Sequence, residues 1–464
     1  FSRNARLCCF YNCLKHLDWE FMNKSAKHLL LSCFMCLFSM ELLNCQINPN
    51  PLLDEYIMQE MDIERMPGLS AVIVKDDKIV WMNSYGFADI ENNIQATDTS
   101  VYLLASISKL FTGTAAMQLV ENNLINLDDG INSLLPWTLY IPGFPNDELT
   151  FRQLMTHTSS IQDNYAVMEN YYDNPDPTIS LDDCMARYFS TAGIDYSASD
   201  NFLATAPGTS YEYSNIATAL NGYLVELVSA MPFDEYCKEN IFEKLCMPKT
   251  SWFFNDFDST HVVRPYRYQA GNYIPYPHYG FADYPSGQLR SNISDMANFM
   301  IAFINEGHFG TDAILSAASI NQMLTPQVPD LDAYQGLNWY QEELYHNNSS
   351  TLLWGHNGGE QGVSTDLYID IENKIGICVL TNGEGDALTI CDEIYTYALS
   401  LNTNNAANPS CLLTSSIDNS LPLAVDITLV KIIDLLGRET LEQKNTPLVK
   451  LYSDGSAERI FIFE

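Results

Sequence analysis

The chain has 464 residues, with 58 acidic residues against 23 basic ones and a formal net charge of −35. That balance lacks the basic footprint that nucleic acid requires, and it suits a soluble, exported protein kept apart by its own charge. With 47% hydrophobic and 12% aromatic residues, the chain can bury a large core, and its length fits one large catalytic domain plus accessories.

Residues 1–21 hold Cys8, Cys9 and Cys13 without periodicity, and we read them as a non-native upstream extension. Met22 opens a better-ordered pattern: Lys24 and Lys27, then an apolar run from Leu29 to Met40. This is the layout of a secretory signal, assigned to 22–45. The run is shorter than the roughly 20 apolar residues a bilayer span needs, so no stable span is expected. Cys45 after Leu42-Leu43-Asn44 loosely resembles a lipoprotein processing site and leaves lipid anchoring as a lesser alternative to free secretion. Past Gln46 the remaining cysteines (184, 237, 246, 378, 391 and 411) are dispersed. Their spacing assigns no pairing and offers no zinc site of the C-x-x-C type.

A helical pattern covers Pro51 to Arg65. Gly68 to Val74 and Ile79 to Asn83 then read as a hairpin about Asp76-Asp77. The first stretch with chemistry is Ser106-Ile107-Ser108-Lys109, followed by a helix-forming run from Thr112 to Val120. Residues three apart share a helix face, so Lys109 can reach the Ser106 hydroxyl. A serine becomes a nucleophile when a neighbouring base takes its proton, and a desolvated lysine can serve. Ser108 is read as a bystander. His157 ends a short helix from Thr150, and we read it as a structural hydrogen-bonder. Residues 161–205, Tyr-rich and aperiodic apart from a helix near 181–188, read as loops walling a pocket.

Ala206-Pro207-Gly208 turns into Tyr213-Ser214-Asn215, and an amphipathic helix follows over 216–229. A phenol and a carboxamide at a helix entrance can both point into a cleft, although Asn215 also suits an N-cap. Residues 233–246 read as a helix, 264–286 as a second Tyr-rich loop, and Ser294 as the cap of the helix after it. Trp354-Gly355-His356-Asn357-Gly358-Gly359 reads as an edge strand whose glycines permit close approach to a ligand. Strands at 364–370 and 374–381 and a helix over 388–400 close the domain. Residues 401–420 read as a polar linker, and 421–464 as a small β-rich module.

Ser106/Lys109, Tyr213/Asn215 and His356/Gly358 occur in the order of the three boxes of the serine β-lactamase and penicillin-binding DD-peptidase superfamily, which the chain resembles over about 55–400. The flanks Leu154 to Ser159, Pro207-Gly208, Phe242 to Leu245 and Gly287 to Leu289 resemble its class C branch. Ser199-Asp200-Asn201 imitates a class A second box but lacks the helix that should follow. The resemblance implies an α+β fold: an antiparallel sheet flanked by helices, with an all-helical subdomain. It implies an acyl-enzyme on Ser106, a proton relay between Lys109 and Tyr213 in either order, and an oxyanion hole of the Ser106 and Gly359 backbone N–H groups. Asn215 would bond Lys109 or the substrate amide, and His356 would polarise Tyr213 or meet a substrate carboxylate. Gly358 and Gly359 would border the substrate. No metal or cofactor is implied.

The His-x-Gly third box, in place of Lys-Thr-Gly, resembles DD-carboxypeptidases, D-aminopeptidases and esterases of the branch. It turns the expectation from β-lactam hydrolysis towards ester or peptide acyl transfer, with a catalytically silent binding protein as a further alternative. A monomer is expected. Asp434 to Glu439, Asn445 to Leu448 and Tyr452 to Gly455 resemble type IX secretion sorting modules, which implies the export machinery as a partner.

Overall fold

A computed structural model describes residues 47–409 and, in the tail, 429–434, 439–440, 447–452 and 457–461. The stretches read as an upstream extension and a signal segment, with Cys45, as well as Cys411 and most of the stretch read as a linker, lie outside the described residues. The chain divides into two compact units, Phe1–Pro409 and Ser410–Glu464.

In the first unit, helix α1 (Pro51–Ile63) starts on the Asn50 side chain, which accepts from Leu53 N, with Pro51 at its first position. Strands β1 (Gly68–Lys75) and β2 (Lys78–Asp89) form the expected hairpin. Strand β3 is Ile94–Gln95, and helix α2 is Ser108–Glu121. Helix α3 (Asn215–Ser229) and helix α4 (Ile293–Ile304) follow. Strands β4 (Tyr340–His346), β5 (Ser349–Glu360), β6 (Val363–Asp370) and β7 (Ile375–Thr381) lead to helix α5 (Leu388–Ser400). Together the strands make one seven-stranded sheet in the order β4-β5-β6-β7-β1-β2-β3, antiparallel at every pairing.

Strand alternation sorts the core. Leu69, Ala71, Ile73, Ile377 and Val379 pack with Ile57, Ile390 and Ile394 of α1 and α5. The other face meets α4, where a Cβ on Gly376 would lie within 3.1 Å of side-chain atoms of Val74, Met300 and Ile304. Because both faces are covered, β1 reads as an almost continuous apolar run rather than an alternating one. Helices α2 and α3, with Phe151–Met155 and Leu181–Phe189, form the helical part, keyed to α4 by the Phe111–Phe299 stack at 4.0 Å. Among the described residues no single helix is long and apolar enough to cross a membrane.

Several boundaries differ from the sequence reading. β5 is not an edge strand, because β4 lies outside it; Tyr-Gln-Glu-Glu-Leu-Tyr-His buries only Leu344 and so carries no apolar alternation. Asn292, not Ser294, caps α4, accepting from Asp295 N at 2.8 Å. The helix read over 233–246 is an α-helical turn, Phe233–Cys237, that widens into a π-turn, Lys238–Phe242. Ala407, inside the stretch read as linker, exchanges backbone hydrogen bonds of 3.0 and 2.9 Å with Ile79. The second unit is a four-stranded antiparallel sheet of β8 (Leu429–Asp434), β9 (Glu439–Thr440), β10 (Pro447–Tyr452) and β11 (Ala457–Phe461), in the order β9-β8-β10-β11.

Candidate active site

Ser106 sits in a 3₁₀ turn, Ala105–Ile107, that runs directly into α2. Ala105 before it holds φ 47°, a left-handed conformation that costs a non-glycine residue energy and recurs at functional turns. The turn is pinned from two sides. Thr365 Oγ1 donates to Leu104 O at 2.7 Å, and Leu289 N donates to Ser108 Oγ at 3.0 Å. Ser108 is therefore a structural brace that the sequence did not reveal.

Three residues on from Ser106, as the second residue of α2, Lys109 is fully buried. Its Nζ donates to Ser106 Oγ at 3.0 Å, to Asn215 Oδ1 at 2.7 Å and to Ser286 O at 2.6 Å. Burial pulls this amine down to about 7, against the opposing charges of Asp163, Asp283 and Glu360. The Ser286 carbonyl reaches it because α3 carries Gly222 where it meets Pro285; a Cβ there would lie 2.6 Å from the proline ring. Thr112 Oγ1 ties down the same segment by donating to Pro285 O at 2.7 Å.

Tyr213 and Asn215 arrive from the entrance of α3. Ser214 is the N-cap, accepting from Ala217 N, so Asn215 is the first helical residue and its side-chain oxygen accepts from Lys109 rather than capping the helix. The Lys109 ammonium lies 5.0 Å from the Tyr213 ring centre. Burial raises the phenol far above its ordinary value, partly offset by a hydrogen bond with Ser106. His157 accepts from Ser214 N at 3.2 Å through Nδ1 and lies against Tyr213, ring centres 4.4 Å apart. Desolvation holds its imidazole neutral. It therefore acts as the structural hydrogen-bonder that the sequence suggested, shaping the Tyr213 turn.

On β5, His356 is buried between Tyr213 and Tyr340, ring centres 6.1 and 5.0 Å away. Its Nδ1 donates to Asn357 O at 2.5 Å, and burial beside Lys109 lowers it to about 3. The neutral imidazole brings no positive charge to a substrate carboxylate. Gly358 leaves no space: a Cβ would sit 2.3 Å from Thr365 Oγ1 and 2.5 Å from Leu104 O. Its neighbour Gly359 has nothing within 4 Å of a Cβ position and faces a cavity.

That cavity, of about 660 Å³, contains Ser106, Tyr213, Asn215 and Gly359 in its wall. Tyr165, Glu169 and Tyr172 come from the first Tyr-rich loop, and Phe281, Asp283 and Ser286 from the second. Three acidic groups near the site went unread in the sequence, because no motif spacing marks them. Asp163 accepts from the entrance of α3, buried Asp283 is raised to about 7 by burial, and Glu360 accepts from Tyr172 at 2.8 Å. Ser199 and Asp200 bond to each other on an exposed loop, while Asn201 is buried under Tyr188 O; none of the three lines the cavity.

The arrangement thus sets a hydroxyl beside a buried amine, with a phenol and the Gly359 backbone across the cavity. A family model described as Beta-lactamase matches residues 53–399. Protein flp of Staphylococcus aureus (strain NCTC 8325 / PS 47) is 24% identical over 331 residues, 71% of this chain and 62% of that protein. The chain thus spans less than two thirds of that relative. Beta-lactamase-like protein 2 of Dictyostelium discoideum is 25% identical over 388 residues, 77% of this chain and 66% of its own length. Among solved structures, the octameric penicillin-binding protein homologue from Pyrococcus abyssi superposes with TM-score 0.64 at 23% identity, covering 88% of this chain and 89% of that one. The Beta-Lactamase/D-Alanine Carboxypeptidase from Pseudomonas syringae gives 0.58 at 19%, covering 76% and 99%. These two likenesses speak for the fold, and the family model adds the lineage: the chain belongs to the beta-lactamase family.

Proposed function

We propose that this chain is a serine hydrolase that forms an acyl-enzyme on Ser106 from ester or amide substrates lacking a carboxylate at the reacting end. The observation that carries the reading is the 3.0 Å contact between Lys109 Nζ and Ser106 Oγ, made by an amine that burial has brought to about 7. Near neutral pH a substantial fraction of Lys109 is then the free base, whereas the Tyr213 phenol keeps its proton. Lys109 therefore takes the Ser106 proton as Oγ attacks the carbonyl, and Tyr213 delivers a proton to the leaving group. Water then cleaves the acyl-enzyme by the reverse relay. The backbone N–H groups of Ser106 and Gly359 receive the oxyanion, a contribution of about 3 kcal/mol per donor.

The charge around the cavity supports the substrate limit. Its wall carries Glu169, Asp283 and Glu360 and no Lys or Arg. Lys109 is already engaged by three acceptors. A β-lactam or a peptide ending in D-alanine would bring its carboxylate into this acidic field unpaired. A matched panel tests the reading: a p-nitrophenyl ester, a D-amino-acid amide, a D-Ala-D-Ala peptide and a chromogenic cephalosporin. The expected order of kcat/KM places the ester or amide first. Fast cephalosporin turnover would select a true β-lactamase. No covalent label on Ser106 from either a fluorophosphonate or a fluorescent penicillin would leave the silent-binding alternative. We also propose export, supported by the apolar run at 29–40 and by the net charge of −35.

A further inference from the structure

Asp163 opens the first Tyr-rich loop, six residues after His157, and belongs to none of the three boxes. Its carboxylate receives five hydrogen bonds. Oδ1 accepts from Ser214 Oγ at 2.9 Å and Ile216 N at 3.0 Å. Oδ2 accepts from the Tyr165 hydroxyl at 3.3 Å, from Asn215 N at 3.0 Å and from Asn215 Nδ2 at 2.8 Å. The bonds from Ser214, Ile216 N and Asn215 N are what any carboxylate does at a helix entrance. The bond from the Asn215 side-chain amide acts on the chemistry. An amide has a donating and an accepting end. With Nδ2 claimed by Asp163, Oδ1 must face Lys109, which it meets at 2.7 Å. The flipped amide would oppose NH₂ to an ammonium and oxygen to a carboxylate.

We propose that Asp163 is a positioning residue for the nucleophile–base pair: through the Asn215 amide it fixes the Lys109 amine against Ser106. This rests on the reading of Ser106 as nucleophile and Lys109 as its base. The groups facing Lys109 divide by element. Asp163 comes from the first loop, Asp283 and the Ser286 carbonyl from the end of the second loop, and Glu360 from β5. Tyr213 from the α3 entrance keeps its proton, and His157 and His356 are neutral. Of the three acids Asp163 opposes the effect of burial most strongly. Removing its charge therefore lets the amine lose its proton at lower pH.

The test is the rate of fluorophosphonate labelling of Ser106 in the full chain from pH 5 to 9, with melting temperatures alongside. In wild type the rate rises through a limb near Lys109's value. Asp163→Asn is expected to slow labelling by 10- to 100-fold at pH 8 and to move the limb down by about one pH unit. Asp163→Glu keeps the charge but not the reach, so its limb stays in place while its rate still falls. Ser214→Ala removes the N-cap hydroxyl and lowers the melting temperature without moving the limb. The proposal is overturned if Asp163→Asn keeps the wild-type limb, if Ser214→Ala moves it equally, or if Asp163→Glu labels at the wild-type rate. The last comparison decides even if Asp163→Asn does not fold. Absence of any label on wild-type Ser106 would instead sink the acyl-enzyme reading beneath it.

Discussion

Adding one methyl group at Gly358 and at Gly359 should have opposite outcomes, although the residues are adjacent on one strand. At Gly358 the new Cβ would lie 2.3 Å from Thr365 Oγ1, 2.5 Å from Leu104 O and 3.1 Å from Ala105 Cβ. The hydroxyl cannot simply rotate away, because it donates to Leu104 O at 2.7 Å. Losing that buried bond would leave the carbonyl only the longer bond from Ile107 N at 3.3 Å, at a cost of about 1 kcal/mol. If the hydroxyl stays, β5 and the turn before Ser106 must part by roughly 1 Å to restore ordinary contact, an overpacking cost of about 1–3 kcal/mol. The movement falls on the residues that place the nucleophile and the Gly359 N–H, where about 1 Å of misplacement can cost on the order of 10²-fold in rate. Gly358→Ala is therefore expected to melt earlier and to lose about 10²-fold in kcat/KM on a p-nitrophenyl ester. Gly359→Ala meets nothing within 4 Å and keeps its N–H, so on a small ester it should stay within about tenfold of wild type. Stopped-flow ester hydrolysis with parallel thermal melts measures both. A Gly358→Ala enzyme with wild-type rate would refute the idea that this close approach sets the geometry of Ser106.

Lys109→Arg should reduce kcat/KM by about 10³-fold or more, because a guanidinium keeps its charge at any working pH and cannot act as the base; ester hydrolysis and fluorophosphonate labelling check it. His356→Gln should lower kcat/KM by roughly 10- to 100-fold while leaving the pH limb where it is. The imidazole is already neutral across pH 5 to 8, and a limb that disappeared with it would contradict this. Asp366, buried and accepting from Tyr368 at 2.8 Å, is raised to about 7 by burial. The folded state thus keeps a proton that the unfolded chain releases near pH 4. The stability linked to this group is complete below about pH 4 and is lost as pH rises to 7, on the order of 4 kcal/mol. Asp366→Asn removes that loss, so its advantage in denaturation midpoint over wild type should widen from pH 4.5 to 7.5; a constant difference would argue against a buried, titrating carboxylate.

The parts of this molecule that the sequence reveals are those where one residue type at one spacing has a single physical use. Ser106 and Lys109 sit three apart where a 3₁₀ turn enters a helix, and the Tyr213-Ser214-Asn215 turn precedes an amphipathic run, so the residues that meet in space are named by local pattern. The sheet is legible where both its faces are buried, as in β1 and β7, and illegible at β4, whose neighbours cover only Leu344. The acids escaped for a different reason. Asp163, Asp283 and Glu360 gain their meaning from burial and from partners far along the chain, 52 residues away for the Asp163–Asn215 contact. A carboxylate in a polar loop looks the same in sequence whether it faces water or a catalytic lysine. Yet these three groups oppose the burial that would drive Lys109 to its neutral form outright. The boxes therefore supply the reacting atoms, while the pH at which they react depends on residues that no box contains. Two chains of this family with identical boxes can for that reason differ in working pH and in the charge of the substrate they admit.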